Sequence, residues 1–200
     1  MDEADITELE EFRRDRVEEA AQKGAKLTLL SFLIKGLVVA LRKYPDFNAS
    51  LSPDGESLIH KKYFHIGVAV NTEHGLVVPV VRDVDSKGLY ELALELKELT
   101  GRAREKKITP AEMQGACFTI SSLGGVGGTG FTPIINLPEV AILGVSPAAT
   151  KPVWQDGEFV PRLMLLFTLS YDHRVIDGVA AAQFTRFLTN VLGDIRTILL

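Results

Sequence analysis

Leu163-Met164-Leu165-Leu166-Phe167-Thr168-Leu169-Ser170-Tyr171 runs directly into Asp172-His173-Arg174-Val175-Ile176-Asp177-Gly178, and this stretch decides the fold. Its first half is an apolar run of strand length with no turn residue in it. From Asp177-Gly178 onward the pattern changes to helical spacing, carried by Phe184, Phe187, Leu188, Val191 and Ile195. His173 therefore sits on a short connection between a strand and a helix, and rigidly held loops of that kind are where reactive groups are usually placed. Two readings stand at this point. His173 and Asp177 form a reactive pair, or the histidine finishes a strand and the aspartate caps a helix.

Upstream, Gln155-Asp156-Gly157-Glu158 is a turn that joins this strand to a shorter one at 153–154. Residues 140–145 and 116–123 read as further strands, the second ending in Ser121-Ser122 and entering a glycine-rich stretch, 124–130. A serine pair at a strand tip is either turn chemistry or a hydroxyl aimed at a site. The segments 65–70 and 76–81 are valine-rich and flank Asn71-Thr72-Glu73-His74-Gly75, which predicts a hairpin with Pro79 at an edge or bulge. Helices are predicted from a capping-box-like Asp5 and Glu8 to Gly24, from Thr28 to Tyr44 ahead of Pro45, and over 89–106. Thr109-Pro110-Ala111-Glu112 has the form of a helix start. The helix at 28–44 is apolar nearly all round and is expected in the interior. Helices cluster early and late with strands between them, so the class is α+β with a mixed sheet rather than a doubly wound fold.

Two hundred residues with 46% apolar and 24% charged side chains suffice for one well-buried domain and argue against disorder. The balance of 22 basic and 26 acidic residues leaves a net charge of −4, so no basic field gathers nucleic acid. The longest apolar run, 27–41, is interrupted by Lys35-Gly36 and falls short of the roughly 20 residues a membrane span requires. A single cysteine, Cys117, forms no internal disulfide and suits a reducing compartment. It lies in an apolar strand and reads as a buried structural thiol. His60, His65 and His74 have no ligand spacing, and no metal site is expected. Gly125-Val126-Gly127-Gly128-Thr129-Gly130 fits a dinucleotide fingerprint literally. Phe131-Thr132-Pro133 follows where a helix is needed, and no acidic residue stands about 20 positions on, so a tight loop is the better reading.

At 170–178 the chain resembles the catalytic domain of the dihydrolipoyl acyltransferases, the core subunits of 2-oxo acid dehydrogenase complexes, whose fold is that of chloramphenicol acetyltransferase. Asp172-His173-Arg174-Val175-Ile176-Asp177-Gly178 is similar to the family's D-H-R-x-x-D-G block. Ala4-Asp5-Ile6-Thr7, Pro45-Asp46-Phe47-Asn48 and the segments 75–85, 118–130 and 141–145 also resemble it. Residues 1–200 then read as one acyltransferase catalytic domain, without the lipoyl and subunit-binding domains that the family carries. Thr119-Ile120-Ser121-Ser122-Leu123-Gly124 resembles the acetyl-specific, pyruvate-complex branch, where succinyl-transferring relatives tend to carry T-N-x-G.

The resemblance implies acetyl transfer between a dihydrolipoyl thiol and coenzyme A, with His173 as general base. It makes Ser121 the oxyanion donor, with Ser122 second. Asp177 orders the loop, through an arginine, or tunes the imidazole. The lipoyl group, on a separate domain, and coenzyme A are substrates, and no metal takes part. Partners implied are two further copies in a homotrimer, trimers in a cubic or icosahedral core, the lipoyl domain and the dehydrogenase components. Each site would take His173 from one subunit and Ser121 from the next, and the apolar end, Ile198-Leu199-Leu200, would serve assembly or ordinary helix-end packing. The compartment implied is bacterial cytoplasm, or mitochondrial matrix in a eukaryote. The alternatives are the core of another 2-oxo acid dehydrogenase complex and an assembly scaffold without activity.

Overall fold

A computed structural model describes residues 1–198. The chain opens with a strand, β1 (Asp2–Asp5), and two short helices, α1 (Thr7–Asp15) and α2 (Val17–Gln22). The interior helix α3 (Leu29–Lys43), a 3-10 turn at Pro45–Phe47 and a small hairpin of β2 (Ala49–Leu51) and β3 (Leu58–His60) follow. Next come β4 (Ile66–Thr72), β5 (Gly75–Val77), β6 (Val80–Val81), α4 (Leu89–Arg104) and a 3-10 turn at Pro110–Met113. The second half contains β7 (Phe118–Ser122), β8 (Ala141–Val145), β9 (Ala149–Gln155), β10 (Glu158–Tyr171), α5 (Gly178–Gly193) and a closing 3-10 turn, Ile195–Ile198. Leu199 and Leu200 of the expected assembly contact lie outside the described residues.

The main sheet has the order β1-β10-β8-β7-β4-β5, with β6 also on β4 and β9 also on β10. Its centre, β4-β7-β8, is parallel, and every other pairing is antiparallel. The mixed sheet with flanking helices is the predicted class. Ile66, Val68, Phe118, Ile120, Leu143, Phe167 and Leu169 project from one face into a core shared with α3, α4 and α5. Phe184 of α5 stacks on Phe47 at 4.2 Å and on Phe118 at 6.0 Å. Each such ring contributes about 1.5–3 kcal/mol through burial.

The opposite face carries mostly small and polar residues, with Ile142 the exception. Register places Gly67 and Ala69, Thr119 and Ser121, Ile142 and Gly144, and Thr168 and Ser170 side by side across four strands. Among the described residues no helix covers them. The segment 131–139 lies there instead, and Gly144 is what lets it approach, since a Cβ at that position would stand 2.8 Å from Pro133 Cδ. The Ser170 hydroxyl holds the segment by donating to the Pro133 carbonyl at 2.7 Å.

Several sequence expectations need correction. Residues 2–5 form an edge strand although Asp-Glu-Ala-Asp carries no strand propensity. Pairing with Met164–Phe167 and ion pairs of Asp5 with Arg162, Glu3 with Lys151 and Asp2 with Arg186 override it. The helix expected over 5–24 is split into α1 and α2. Asp5 still serves its start, accepting from Thr7 N at 3.0 Å and Thr7 Oγ1 at 2.6 Å. Thr109 and Glu112 form the capping box as read, but the helix stops after one 3-10 turn. The hairpin at 66–81 forms as expected, with Pro79 separating β5 from β6.

Candidate active site

His173 lies in a turn made rigid by its neighbours. Asp172 N donates to the Val140 carbonyl at 2.8 Å, and Val175 N and Ile176 N both donate to the Asp172 carbonyl at 3.0 Å. The Asp172 carboxylate accepts from Arg174 N at 3.0 Å and takes the Arg174 guanidinium as a fork, at 3.0 and 2.6 Å. That guanidinium holds the Asp172 carboxyl below its ordinary value. Ile176 is buried and anchors the far end of the turn. The imidazole itself faces solvent. It lies against the Tyr171 ring, centroids 5.5 Å apart, and among the described residues its nitrogens have no hydrogen-bond partner. The sequence reading missed Asp172 and Arg174 as the staple, although both stand beside the histidine in the quoted block.

Asp177 is the N-cap of α5, with Oδ1 accepting from Ala180 N at 2.8 Å. The expected bond from Asp177 to an arginine is absent among the described residues, because Arg174 is engaged by Asp172. A groove of about 910 Å³ opens between β10 and α5, lined in part by Tyr44, Leu169, Tyr171, Gln183 and Phe187.

Ser121 sits half-buried near the C-terminal end of β7, on the small-residue face, beside Gly144 of β8. Ser122 is exposed, and its hydroxyl accepts from Gly124 N at 3.3 Å, which is turn chemistry. Ser121 and His173 do not meet within one chain. Ser121 is level with Gly144, whereas Asp172 is level with Val140, at the other end of β8. At 3.3 Å per residue the two side chains are roughly 15 Å apart along the strands, with β8 between them.

The remaining candidates resolve into packing or surface contacts, with His60 and His74 both exposed. Cys117 is fully buried, its thiol donates to the His65 carbonyl at 3.0 Å, and burial pushes it up to about 11. His65 Nδ1 accepts from Asp83 N at 3.0 Å, and His60 meets Asp46 at 2.9 Å. Residues 123–140, which contain the glycine-rich stretch, include no helix, so a dinucleotide fingerprint lacks its anion-binding terminus.

Residues 1–200 match the model of the 2-oxoacid dehydrogenases acyltransferase (catalytic domain). The chain belongs to this family. It is 58% identical over 200 residues to the dihydrolipoyllysine-residue acetyltransferase component of pyruvate dehydrogenase complex from Pseudomonas aeruginosa, covering 100% of this chain and 37% of that protein. The acyltransferase chain thus spans about a third of the length of the curated relatives it matches. Two solved structures align at a TM-score of 0.97 with 59% identity, over 100% of this chain and 82% of theirs. One is the cubic core of the pyruvate dehydrogenase multienzyme complex. The other is the Azotobacter vinelandii dihydrolipoamide acetyltransferase, solved to investigate a serine, a histidine and an asparagine in its catalytic mechanism. Chloramphenicol acetyltransferase, at a TM-score of 0.60 and 18% identity over 96% of this chain and 86% of that one, shares the fold.

Proposed function

We propose that this chain transfers an acetyl group between a dihydrolipoyl thiol and coenzyme A, within the core of a pyruvate dehydrogenase complex. The observation that carries the reading is the placement of His173, an imidazole without a partner among the described residues, facing solvent on a turn clamped from both sides. Free thiols are only a few per cent thiolate near neutral pH, and histidine is the side chain suited to take their proton there. His173 removes the coenzyme A thiol proton, and the thiolate attacks the acetyl carbonyl. The new C–S bond gives a tetrahedral oxyanion, to which the Ser121 hydroxyl donates. The C–S bond to the lipoyl group then breaks, and protonated His173 returns its proton to that sulfur. No acyl-enzyme intermediate is needed.

Ser121 and His173 of one chain lie at opposite ends of the sheet, so the reading requires a second copy. One subunit supplies the histidine and its neighbour the serine, an arrangement natural to a head-to-tail ring. The intervals in the Azotobacter protein support the assignment. Its serine precedes its histidine by 52 positions and its asparagine follows by four, and the same intervals from His173 fall on Ser121 and Asp177. A trimer assembling into a cubic core is the partner this reading favours, with a lipoyl domain and the dehydrogenase components as visitors. A reducing compartment, bacterial cytoplasm or mitochondrial matrix, fits the buried thiol.

The test is acetyl transfer from acetyl-coenzyme A to dihydrolipoamide, with wild type beside His173→Ala. Turnover that depends on the histidine is expected. Turnover unchanged in an intact His173→Ala particle overturns the reading, and a large particle with no turnover in either protein supports the scaffold.

A further inference from the structure

Glu139 is the least expected residue on the small-residue face of the sheet. It stands two residues before β8, only 3% exposed, where an apolar residue would ordinarily be found. Its Oε1 accepts from Thr119 Oγ1 and from Asn136 Nδ2, both at 2.9 Å. Its Oε2 is buried and has no partner among the described residues. Burial raises the carboxyl above its ordinary value, partly offset by those two bonds and by the positive charge of Lys61. A buried carboxyl with one oxygen unsatisfied costs stability, and costs of that kind collect where function requires them.

Two connections point to what is held. Thr119 precedes Ser121 by two residues on the same face of β7, about 6.6 Å away. Its hydroxyl fits only because residue 67 has no side chain, since a Cβ there would stand 2.5 Å from Thr119 Oγ1. On the other side, the residue after Glu139 is Val140, whose carbonyl receives Asp172 N at 2.8 Å, and Asp172 carries the turn that presents His173. One buried carboxyl thus stands between the strand of the serine and the turn of the histidine.

We propose that Glu139 is a positioning residue for acyl transfer. It pins β7 through Thr119 and fixes the start of β8, so that one chain presents Ser121 to one active site and His173 to another in a set relation. The proposal rests on the acyl-transfer reading above. It acts on the geometry of the reacting groups rather than on substrate capture, so it predicts a loss in kcat and not in KM.

The experiment measures steady-state acetyl transfer by the assembled protein, with particle size followed by light scattering. Glu139→Ala and Thr119→Val each lower kcat by about 10- to 100-fold, the usual cost of displacing a catalytic group by around an ångström. KM for both substrates stays within about twofold, since no substrate contact is lost. The double variant is no worse than the worse single one, because both cut the same connection. Glu139→Gln, whose amide oxygen can accept both bonds, recovers most of the kcat. Intact particles of Glu139→Ala and Thr119→Val with wild-type kcat overturn the proposal, as does an effect confined to KM. Should Glu139→Ala fail to assemble, Thr119→Val decides, a lowered kcat supporting the proposal and an unchanged one overturning it. A wild type without turnover refutes the acyl-transfer reading and the proposal with it, whereas active wild type with unaffected variants refutes Glu139 alone.

Discussion

Cys117 stands immediately before the short strand that carries Ser121, and the two behave as opposites, because one lies in the core and the other near the tip. With its thiol raised to about 11, Cys117 should not react with iodoacetamide in the native protein at pH 8, and should react fully once the chain is unfolded. Quantitative labelling of the native state contradicts this placement. Ser121→Ala should cost about 2.7–4 kcal/mol of barrier stabilisation, a fall of 10²–10³ in kcat in steady-state assays, if its hydroxyl meets the oxyanion. Asp177 belongs to the helix start. Asp177→Ala should cost about 0.5–2 kcal/mol in denaturant unfolding, and Asp177→Asn should restore nearly all of it, since asparagine caps equally well. His173 was legible in the sequence because the apolar strand ends at it and the flanking residues form a recognisable block. The separate tasks of Asp172 and Asp177 were not, since two aspartates near one histidine look alike until hydrogen bonds assign them.

The strands and long helices were legible where periodicity is strong. α3, α4 and α5 begin and end close to the predicted positions, and β7, β8 and β10 lie within the predicted runs or extend them. The failures have a common cause in tertiary contacts. β1 is a strand because β10 offers an edge, which its own residues do not announce. The turn at Pro110–Met113 stays short because Gly115 turns to a positive φ of +87° and the Arg82 guanidinium takes the carbonyls of Ala111 and Gln114. That turn makes a pH prediction. Glu112 accepts from Arg102 and from Thr109 N and Oγ1, which lower its carboxyl from 4.5 to about 2. A carboxyl lowered on folding stabilises above its unfolded value and ceases to do so as pH falls through its folded one. Wild-type stability should therefore drop between about pH 4.5 and 2 more steeply than that of Glu112→Gln, as followed by urea unfolding at stepped pH. Parallel curves contradict it. Gly144→Ala should push Pro133 off the sheet and cost about 1–3 kcal/mol in the same assay.

For the molecule as a whole, the division of His173 and Ser121 between subunits was implied by the family resemblance, but hydrophobic periodicity alone could not give it. Periodicity marks strands but not which end of one lies beside which end of another. Only the pairing of β7 with β8 in parallel and of β10 with β8 in antiparallel sends Ser121 and His173 to opposite ends. A site that needs both, as proposed, must draw on two chains, and Glu139 then lies between the strand of the serine and the turn of the histidine.

The most direct test is complementation. His173→Ala and Ser121→Ala, each nearly inactive alone, are co-expressed with different tags and the doubly tagged particles isolated. Random mixing leaves intact serine and histidine together at about a quarter of the interfaces, so about a quarter of wild-type turnover should return. Mixed particles of normal size that stay as inactive as either parent would contradict a shared site.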